Sequence, residues 1–475
     1  MKKIIIAFLG IAVGVFSSSL QAHPWKPSRY VIVDTDCGLD DMRTLSLLLS
    51  SPGVRVVAII ASNGVLDAET GCRKINELLT LYHHEGIPAG ICRSAVKAKN
   101  CDAALSFSWS DRQSSFYPPV EAAALLNNLF THVKEPLTMV CLGPLTTAAV
   151  CMDRCPDFSK KVKEIVWSVE AGNMKKCLNF YLDKDAFKKV SRSPVPLHLI
   201  EGSVPFSYQD SLPEKIKENG SVYARQIYSS LMASGHFMNR QLFDEVTAIY
   251  LHYPSLFSCD TTGKMMVHRM HASMAKEDFT GKYLSLLSGT VVMQNQVFQA
   301  FPADTSAYFP DVQEIMLAAL GAFGRDEWTA QVITAELHRH VGEYAVIGVK
   351  MGMRARDFFG AGVDEMQIVS YAGLKPPFSC LNDGLQVSTG ATLGHGLISV
   401  AGDTVRKPCA DFSYLGRKIR ITLKDEYRQK VEKELKELAL IYGLDSNIYW
   451  DLVRQSALNY WRRWDRNQIF DIEVL

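Results

Sequence analysis

The chain has no excess charge of either sign. Fifty-one lysines and arginines against 50 acids over 475 residues leave a formal charge of +1. No stretch is basic enough to follow a phosphate backbone, so nucleic acid is excluded as an expected partner. Beyond residue 22 no apolar run reaches the roughly 20 residues that a membrane-spanning helix needs. No repeat of fixed period and no low-complexity linker is present, which excludes solenoids and tethered arrays. The 11 cysteines are scattered, and an odd number cannot all pair, so no disulfide framework is expected. Cys151 and Cys155, four apart, could face one another on a helix; most of the others read as buried apolar thiols.

What is present begins with a leader-like start. Lys2-Lys3, the apolar run Ile4 to Phe16, and the small residues Ser17-Ser18-Ser19 and Ala22 make residues 1–22 resemble a secretory signal. The run is short for a spanning helix. The expectation is export to a bacterial periplasm, with no membrane association after cleavage. The remaining length is enough for about two to four domains with sizeable cores.

The densest chemical signal lies at residues 31–41. A β-branched run, Val31-Ile32-Val33, ends in Asp34, Asp36, Asp40 and Asp41, four carboxylates within eight residues. Each close pair repels by roughly 1 kcal/mol or more at a surface-like dielectric. A fold keeps such a cluster with a cation, or by splaying it into solvent. Acids at the carboxyl end of a buried parallel strand sit where open α/β sheets bind ligands. Oxygen-only donors suit a hard cation, Ca²⁺ before Mg²⁺. The plainer alternative is an acidic loop in which Asp40 or Asp41 caps the next helix.

Strand-like segments at Val54–Ile60, Leu137–Leu142, Lys163–Val169 and Leu197–Ile200 alternate with helix-like segments such as Cys72–Tyr82. This alternation predicts an α/β fold with a doubly wound, mostly parallel sheet. The acid cluster, Asn63 and Leu142 each follow a strand and would meet at one sheet edge.

The string Val33-Asp34-Thr35-Asp36-Cys37-Gly38-Leu39-Asp40-Asp41 resembles the DTDPGxDD signature of the inosine-uridine-preferring nucleoside hydrolases, with Cys37 in place of the proline. Four more segments support the resemblance in order: Ala61-Ser62-Asn63-Gly64, Leu142-Gly143-Pro144-Leu145-Thr146-Thr147, Asn179-Phe180-Tyr181-Leu182-Asp183-Lys184-Asp185-Ala186, and Phe243-Asp244-Glu245-Val246-Thr247-Ala248. The resemblance implies Ca²⁺ held by Asp36, Asp41, Asp244 and the Leu142 carbonyl. It implies Asp36 as the catalytic base, ribose contacts from Asp40 and Asn179, Asn63 beside them, and Asp34 behind the ligands to orient them. The expected substrate is a small-molecule nucleoside or related N-glycoside, cleaved through an oxocarbenium-like sugar. Family members commonly oligomerise, so a homo-oligomer is a further expectation. Three departures stand out. Cys177 replaces the family glutamate, Phe243 replaces a histidine, and Val169-Glu170 replaces a glycine pair, although Gly172-Asn173 keeps the asparagine, Asn173, as a substrate contact.

The second half resembles another family, the formylmethanofuran dehydrogenase E-like domains. Leu337-His338-Arg339-His340-Val341-Gly342-Glu343 is similar to its opening motif. Cys380-Leu381-Asn382-Asp383-Gly384-Leu385-Gln386 and Gly390-Ala391-Thr392-Leu393-Gly394-His395-Gly396 are similar to its longer block. This implies a smaller α+β domain that binds zinc in some members. His338, His340, Cys380 and His395 remain as donors, and imidazole with thiolate suits Zn²⁺. Alternatively these are polar residues at a helix end and a buried thiol. The expected division is a signal at 1–22, a hydrolase-like domain at 28–315, the second domain at 331–433 and a helical tail at 434–475. From Leu423 on, Glu426 to Glu437 reads as a solvated, ion-paired helix face, and Tyr449, Trp450, Tyr460, Trp461 and Trp464 read by default as core packing, or else as aromatics that dock the tail onto a neighbouring domain. Three functions stay open: an exported calcium-dependent N-glycosyl hydrolase with a fused metal- or ligand-binding domain, a binding protein on the same scaffold, or an enzyme whose chemistry lies at His338, His340 and Cys380.

Overall fold

A computed structural model describes residues 27–475, except residue 52 and residues 112–118, 171–176, 205–211, 234–241, 288–296, 299 and 403–405. The leader and Asn173 therefore lie outside the described residues.

Nine strands form the first sheet: β1 (Arg29–Thr35), β2 (Val54–Ser62), β3 (Ala89–Cys92), β4 (Val120–Glu121), β5 (Leu137–Cys141), β6 (Val162–Val169), β7 (Leu197–Glu201), β8 (Phe257–Thr262) and β9 (Met265–Met270). Their order is β4-β3-β2-β1-β5-β6-β7-β9-β8. All neighbours run parallel except the edge hairpin β8–β9. The order reverses beside β1, between β2 and β5, so this is the topological switch of a doubly wound sheet. Strand β1 is central and fully buried beyond Tyr30, as expected of a β-branched run covered on both faces.

The second sheet has five strands in the order β11-β10-β12-β13-β14, namely β10 (Gln367–Ser370), β11 (Ile398–Val400), β12 (Cys409–Tyr414), β13 (Arg417–Leu423) and β14 (Phe470–Val474). Only β10–β11 is parallel. The chain thus ends in a strand that completes this sheet, after the helices Asp425–Tyr442 and Asn447–Arg463. Val431, Ala457, Tyr460, Trp461 and Trp464 share the second core, so these three tail aromatics pack inward with the second sheet, while Trp450 is exposed. The boundary also differs from expectation. Val312, Ile315, Met316 and Ala319 pack into the second core, on the helix Pro310–His338, which kinks where Gly324 adopts φ 82°. The apolar face of residues 312–319 reads from sequence as the close of the first unit because periodicity does not say which sheet a helix faces.

The two units touch at the amino-terminal side of the large sheet. Arg55, at the start of β2, donates to the Gly360 carbonyl (2.6 Å) and pairs with Glu365. Gly86 N–H donates to the Phe358 carbonyl (2.7 Å), and Arg354 pairs with Glu85 (3.1 Å). His84 Nδ1 lies 2.6 Å from the Asp357 carbonyl and so must carry its proton there; Nε2 then accepts from the Tyr223 hydroxyl at 2.7 Å. The carboxyl ends of the strands point the other way.

Candidate active site

At the carboxyl end of β1 the chain turns sharply into the helix Leu39–Ser50. Cys37 takes a left-handed φ of 62°. Proline cannot reach that angle, so Cys37 is not a space-filling stand-in for the family proline. Its backbone N–H donates to the Thr35 hydroxyl (2.9 Å), and its Sγ lies against Gly71. Burial pushes the thiol well up, with the Asp41 and Asp36 charges adding to it; Cys37 is a packed thiol.

This turn sets the carboxylates. Asp41 Oδ2 accepts from the Thr35 hydroxyl (2.6 Å) and from the Asp36 N–H (3.1 Å). Asp36 is held between two glycines. A Cβ on Gly64 would fall 2.0 Å from Asp36 Oδ2, and one on Gly143 would fall 3.1 Å from Asp36 Cβ. Gly64 is therefore required for close approach, and Gly143 packs tightly on the other side. Asp36 Oδ2 is buried and has no hydrogen-bond partner. Asp244 immediately precedes the helix Glu245–His252, makes no side-chain capping hydrogen bond and is buried. Asp40, Asp41 and Asp244 each offer an oxygen within 4.8 Å of the others, and they are the one such group of three among the described residues.

Asp36, Asp40, Asp41, Asp244 and Asn179 line one pocket of about 140 Å³, together with Val65, Ser168, Val169, Glu170, Cys177, Leu178 and Phe243. Every lining residue belongs to the first unit. A water needs roughly 10–15 Å³ measured this way, so the pocket has room for an ion, water and a small polar group. Burial pushes the Asp41 carboxyl up to about 6, with the Asp40 charge adding to it. Asp36 and Asp244 are driven well above the ordinary carboxylate range, by burial first and then by the Asp41 charge. Asp34, wholly buried behind the pocket, rises to about 7, also through burial. Its Oδ2 accepts from Ser62 at 3.4 Å.

Two expected contacts sit elsewhere. The Leu142 carbonyl accepts from the Asn179 carboxamide (2.6 Å), so in this arrangement it is turned to a side chain. Asn63 does not line the pocket: its amide donates to the Val96 carbonyl (2.8 Å) and its oxygen accepts from Ala68 N–H (2.8 Å), which ties down the turn after β2. Asn173 is not described. Sequence reasoning missed Ser168 and Glu170 as lining residues. The available signal was their position at the carboxyl end of β6, level with the acids.

Two helices carry Asp41 and Asp244, and a buried ion pair ties them together. Arg43 Nε donates to Glu245 Oε1 at 2.5 Å, both side chains sealed from solvent. Thus Asp41 and Asp244 are each within two residues of one end of a fixed strut.

In the second unit His338 Nδ1 meets Asp383 Oδ2 at 2.7 Å, and Asp383 is a partner the sequence reading did not single out. Asp383 and Cys380 lie three apart, one turn along the same helix face. Together they raise His338 to about 9, chiefly through the Asp383 hydrogen bond and then Cys380. His338 Nε2 is buried without a hydrogen-bond partner, and the His340 ring lies 4.3 Å away. His395 is not part of this group. It is exposed in the loop after the helix Leu381–Thr389, 3.2 Å from the Gly390 carbonyl and 3.5 Å from Asp364.

Comparison with known proteins agrees with this organisation. Residues 337–453 match a family described as FmdE, molybdenum formylmethanofuran dehydrogenase operon. A pyrimidine-specific ribonucleoside hydrolase RihA of Photobacterium profundum is 28% identical over 255 residues, covering 49% of this chain and 82% of that protein. One from Klebsiella pneumoniae is 27% identical over 180 residues, covering 35% of this chain and 58% of its own length. Among solved structures, an inosine-uridine preferring nucleoside hydrolase from Bacillus anthracis matches 55% of this chain and 99% of its own, at 16% identity and a TM-score of 0.48. Residues 31–298, more than half of the chain and all of the acid pocket, match the family described as inosine-uridine preferring nucleoside hydrolase, and to that family the chain belongs.

Proposed function

We propose that the first unit is a calcium-dependent N-glycosyl hydrolase that cleaves a nucleoside or related N-riboside. The observation that carries this reading is the buried, unpartnered Oδ2 of Asp36 facing a pocket it shares with Asp40, Asp41 and Asp244. Four acids at this density, three of them driven upward by burial and mutual charge, fit a hard divalent cation held by Asp36, Asp41 and Asp244. Calcium, when bound, would lower the pKa of a water and hold it for attack. Asp36 accepts the proton of the attacking water. Asp40 and Asn179 hold sugar hydroxyls, and the surrounding carboxylates favour the positive charge that grows on the ribose. Asp34 stands behind Asp36 and orients the ligands from the second layer. The Photobacterium and Klebsiella relatives, named as pyrimidine-specific ribonucleoside hydrolases, support a nucleoside as the substrate class. The leader-like residues 1–22 support export.

One observation favours a second reading, a protein that binds the sugar without cleaving it. Cys177 and Phe243 line the pocket where the resemblance implies a glutamate and a histidine. For the second unit the FmdE match and the unpartnered His338 Nε2 support zinc held by His338 with Cys380 and His340.

The test is release of reducing sugar from a nucleoside panel, with and without a chelator, for the wild type and Asp36→Asn. Chelator-sensitive release that disappears in the variant is expected. Tight calcium binding with no release from any nucleoside moves the assignment to the binding reading. Zinc content unchanged in a His338→Ala, Cys380→Ala protein removes the second site.

A further inference from the structure

A second convergence of donors lies on the large sheet outside the acid pocket, and no part of the hydrolase reading uses it. The strand registers pair Thr138 of β5 with Glu164 of β6, Val166 with His198 of β7, Ile200 with His268 of β9, and His268 with Cys259 of β8. Side chains two apart on a strand share a face. Glu164, His198, His268 and Cys259 therefore form one row running to the edge of the sheet.

The contacts along the row have a direction. Glu164 Oε1 accepts from the Thr138 hydroxyl (2.7 Å) and from Arg29. Its Oε2 lies 3.6 Å from His198 Nε2. The other nitrogen, His198 Nδ1, faces His268 Nε2 at 3.0 Å, with the two rings stacked 10° from parallel. Two imidazole nitrogens at that separation cannot both be protonated, so at least one lone pair is aimed into the space between them. The Tyr250 hydroxyl reaches both nitrogens, at 3.1 and 3.3 Å, and Cys259 Sγ lies 4.0 Å from His268 Nε2. The Glu164 carboxylate stands on the far-nitrogen side of His198, beyond hydrogen-bond reach at 3.6 Å, on the side from which a carboxylate orients a histidine ligand. His268 is buried, and Cys259 is exposed on the edge strand, which leaves the row open to solvent at one end.

We propose that His198 Nδ1, His268 Nε2 and Cys259 Sγ take up a thiophilic transition-metal ion, Zn²⁺ or Cu⁺. Nitrogen and sulfur donors separate this site from the oxygen-only pocket that suits calcium. On binding, the Cys259 thiol gives its proton to solvent as the sulfur–metal bond forms, and a side-chain rotation of this exposed residue brings the sulfur onto the ion. The ion pins the edge hairpin β8–β9 to β7. Tyr250, which covers the site, stands six residues along the helix that Asp244 opens, about 9 Å of rise from the acid pocket.

The probe is Co²⁺ as a spectroscopic substitute for Zn²⁺. The full-length protein carries Cys380→Ser, which silences the thiol beside His338. It is stripped with chelator and kept in millimolar Ca²⁺ to occupy the acid pocket. One bound cobalt with a near-ultraviolet thiolate-to-metal band is expected. Adding Cys259→Ser or His268→Gln abolishes the band and lowers bound cobalt by one equivalent. Cys259 is exposed, so its variant reads the site even where His268→Gln fails to fold. No thiolate band in the Cys380→Ser protein, or a band unchanged by Cys259→Ser, shows that the row is a hydrogen-bonded strut only and overturns the proposal. Neither result depends on whether the acid pocket hydrolyses nucleosides.

Discussion

The acid pocket and the His338 group both gather titratable side chains, but they neutralise them differently. In the pocket, buried carboxylates face one another and raise each other's pKa, and Asp36 Oδ2 has no partner. Beside His338, the opposite charge is already built in, because Asp383 lies 2.7 Å from the ring and holds it protonated. A buried charge without a partner costs several kcal/mol, so the first arrangement calls for an ion from outside, while the second is half compensated by its own chain. The sharpest break of this contrast is Asp36→Asn. In the proposed mechanism it removes the base and one charge of the cation's cage, and general-base loss alone typically costs about 10²–10⁴-fold. Sugar release should fall at least that far, and bound calcium should weaken. A variant retaining a tenth of the wild-type rate would remove Asp36 from its assigned role.

Next in size is a stability effect that tests internal compensation inside the first unit. Arg43 and Glu245 are sealed from solvent and brace the helices of Asp41 and Asp244. Breaking a buried pair by removing one partner costs roughly 3–5 kcal/mol, because the other charge stays behind. Glu245→Gln should lower urea stability by about that amount. The second unit holds its counterpart, Lys350 at 2.5 Å from Glu327, with Arg466 on the other oxygen at 2.9 Å. Lys350→Met should be milder, since Arg466 still pairs with Glu327. Equal losses in the two variants would show that Arg466 does not share the compensation.

These differences explain what could be read from the chain alone. The strand–helix alternation, the central β1 run and the gathering of Asp36, Asp40, Asp41 and Asp244 were legible, because period and strand-end position decide them. Which sheet residues 312–319 face was not, since an apolar helix face looks the same against either core. Asn63 was misjudged because its carboxamide could serve a ligand or the backbone equally well, and only the turn geometry assigns it to Val96 and Ala68. Asp383 escaped notice for a related reason. It sits 45 residues from His338, and contact across that span has no local signature. Cys37 looked like a substitute for proline, yet its positive φ shows that the turn takes a path a proline could not follow.

A smaller effect distinguishes compensation by Asp383 from compensation by a metal. The His338 pKa stands at about 9 in the fold against 6.5 for an ordinary histidine. A raised pKa means the folded state binds the proton more tightly, so the stabilisation is complete below pH 6.5 and is lost as pH rises through 9. After discounting for solvent this amounts to on the order of 2 kcal/mol. With chelator present, stability should decline between those limits, and His338→Gln should flatten the profile. With zinc bound the imidazole is neutral, and the decline should disappear. A profile with the same slope in wild type and variant would locate the titration elsewhere.

The smallest expected effect concerns His395, which the sequence offers as a further imidazole donor in place of a family lysine and the fold sets apart. Its side chain is 36% exposed, and its contacts are the Gly390 carbonyl and Asp364, at 3.2 and 3.5 Å. Gly390 itself takes a left-handed φ of 72° and closes the helix Leu381–Thr389 against Asp364, so the loop's shape is set by glycine and backbone more than by the imidazole. Exposed ion pairs at such distances contribute about 0–1 kcal/mol, and ordinary surface substitutions stay within about 0.5 kcal/mol. His395→Ala should therefore leave both stability and zinc content unchanged, while His338→Ala changes both. If His395→Ala instead empties a zinc site that His338→Ala spares, the loop after Thr389 is where the second unit holds its metal, and Asp383 serves only to pair His338.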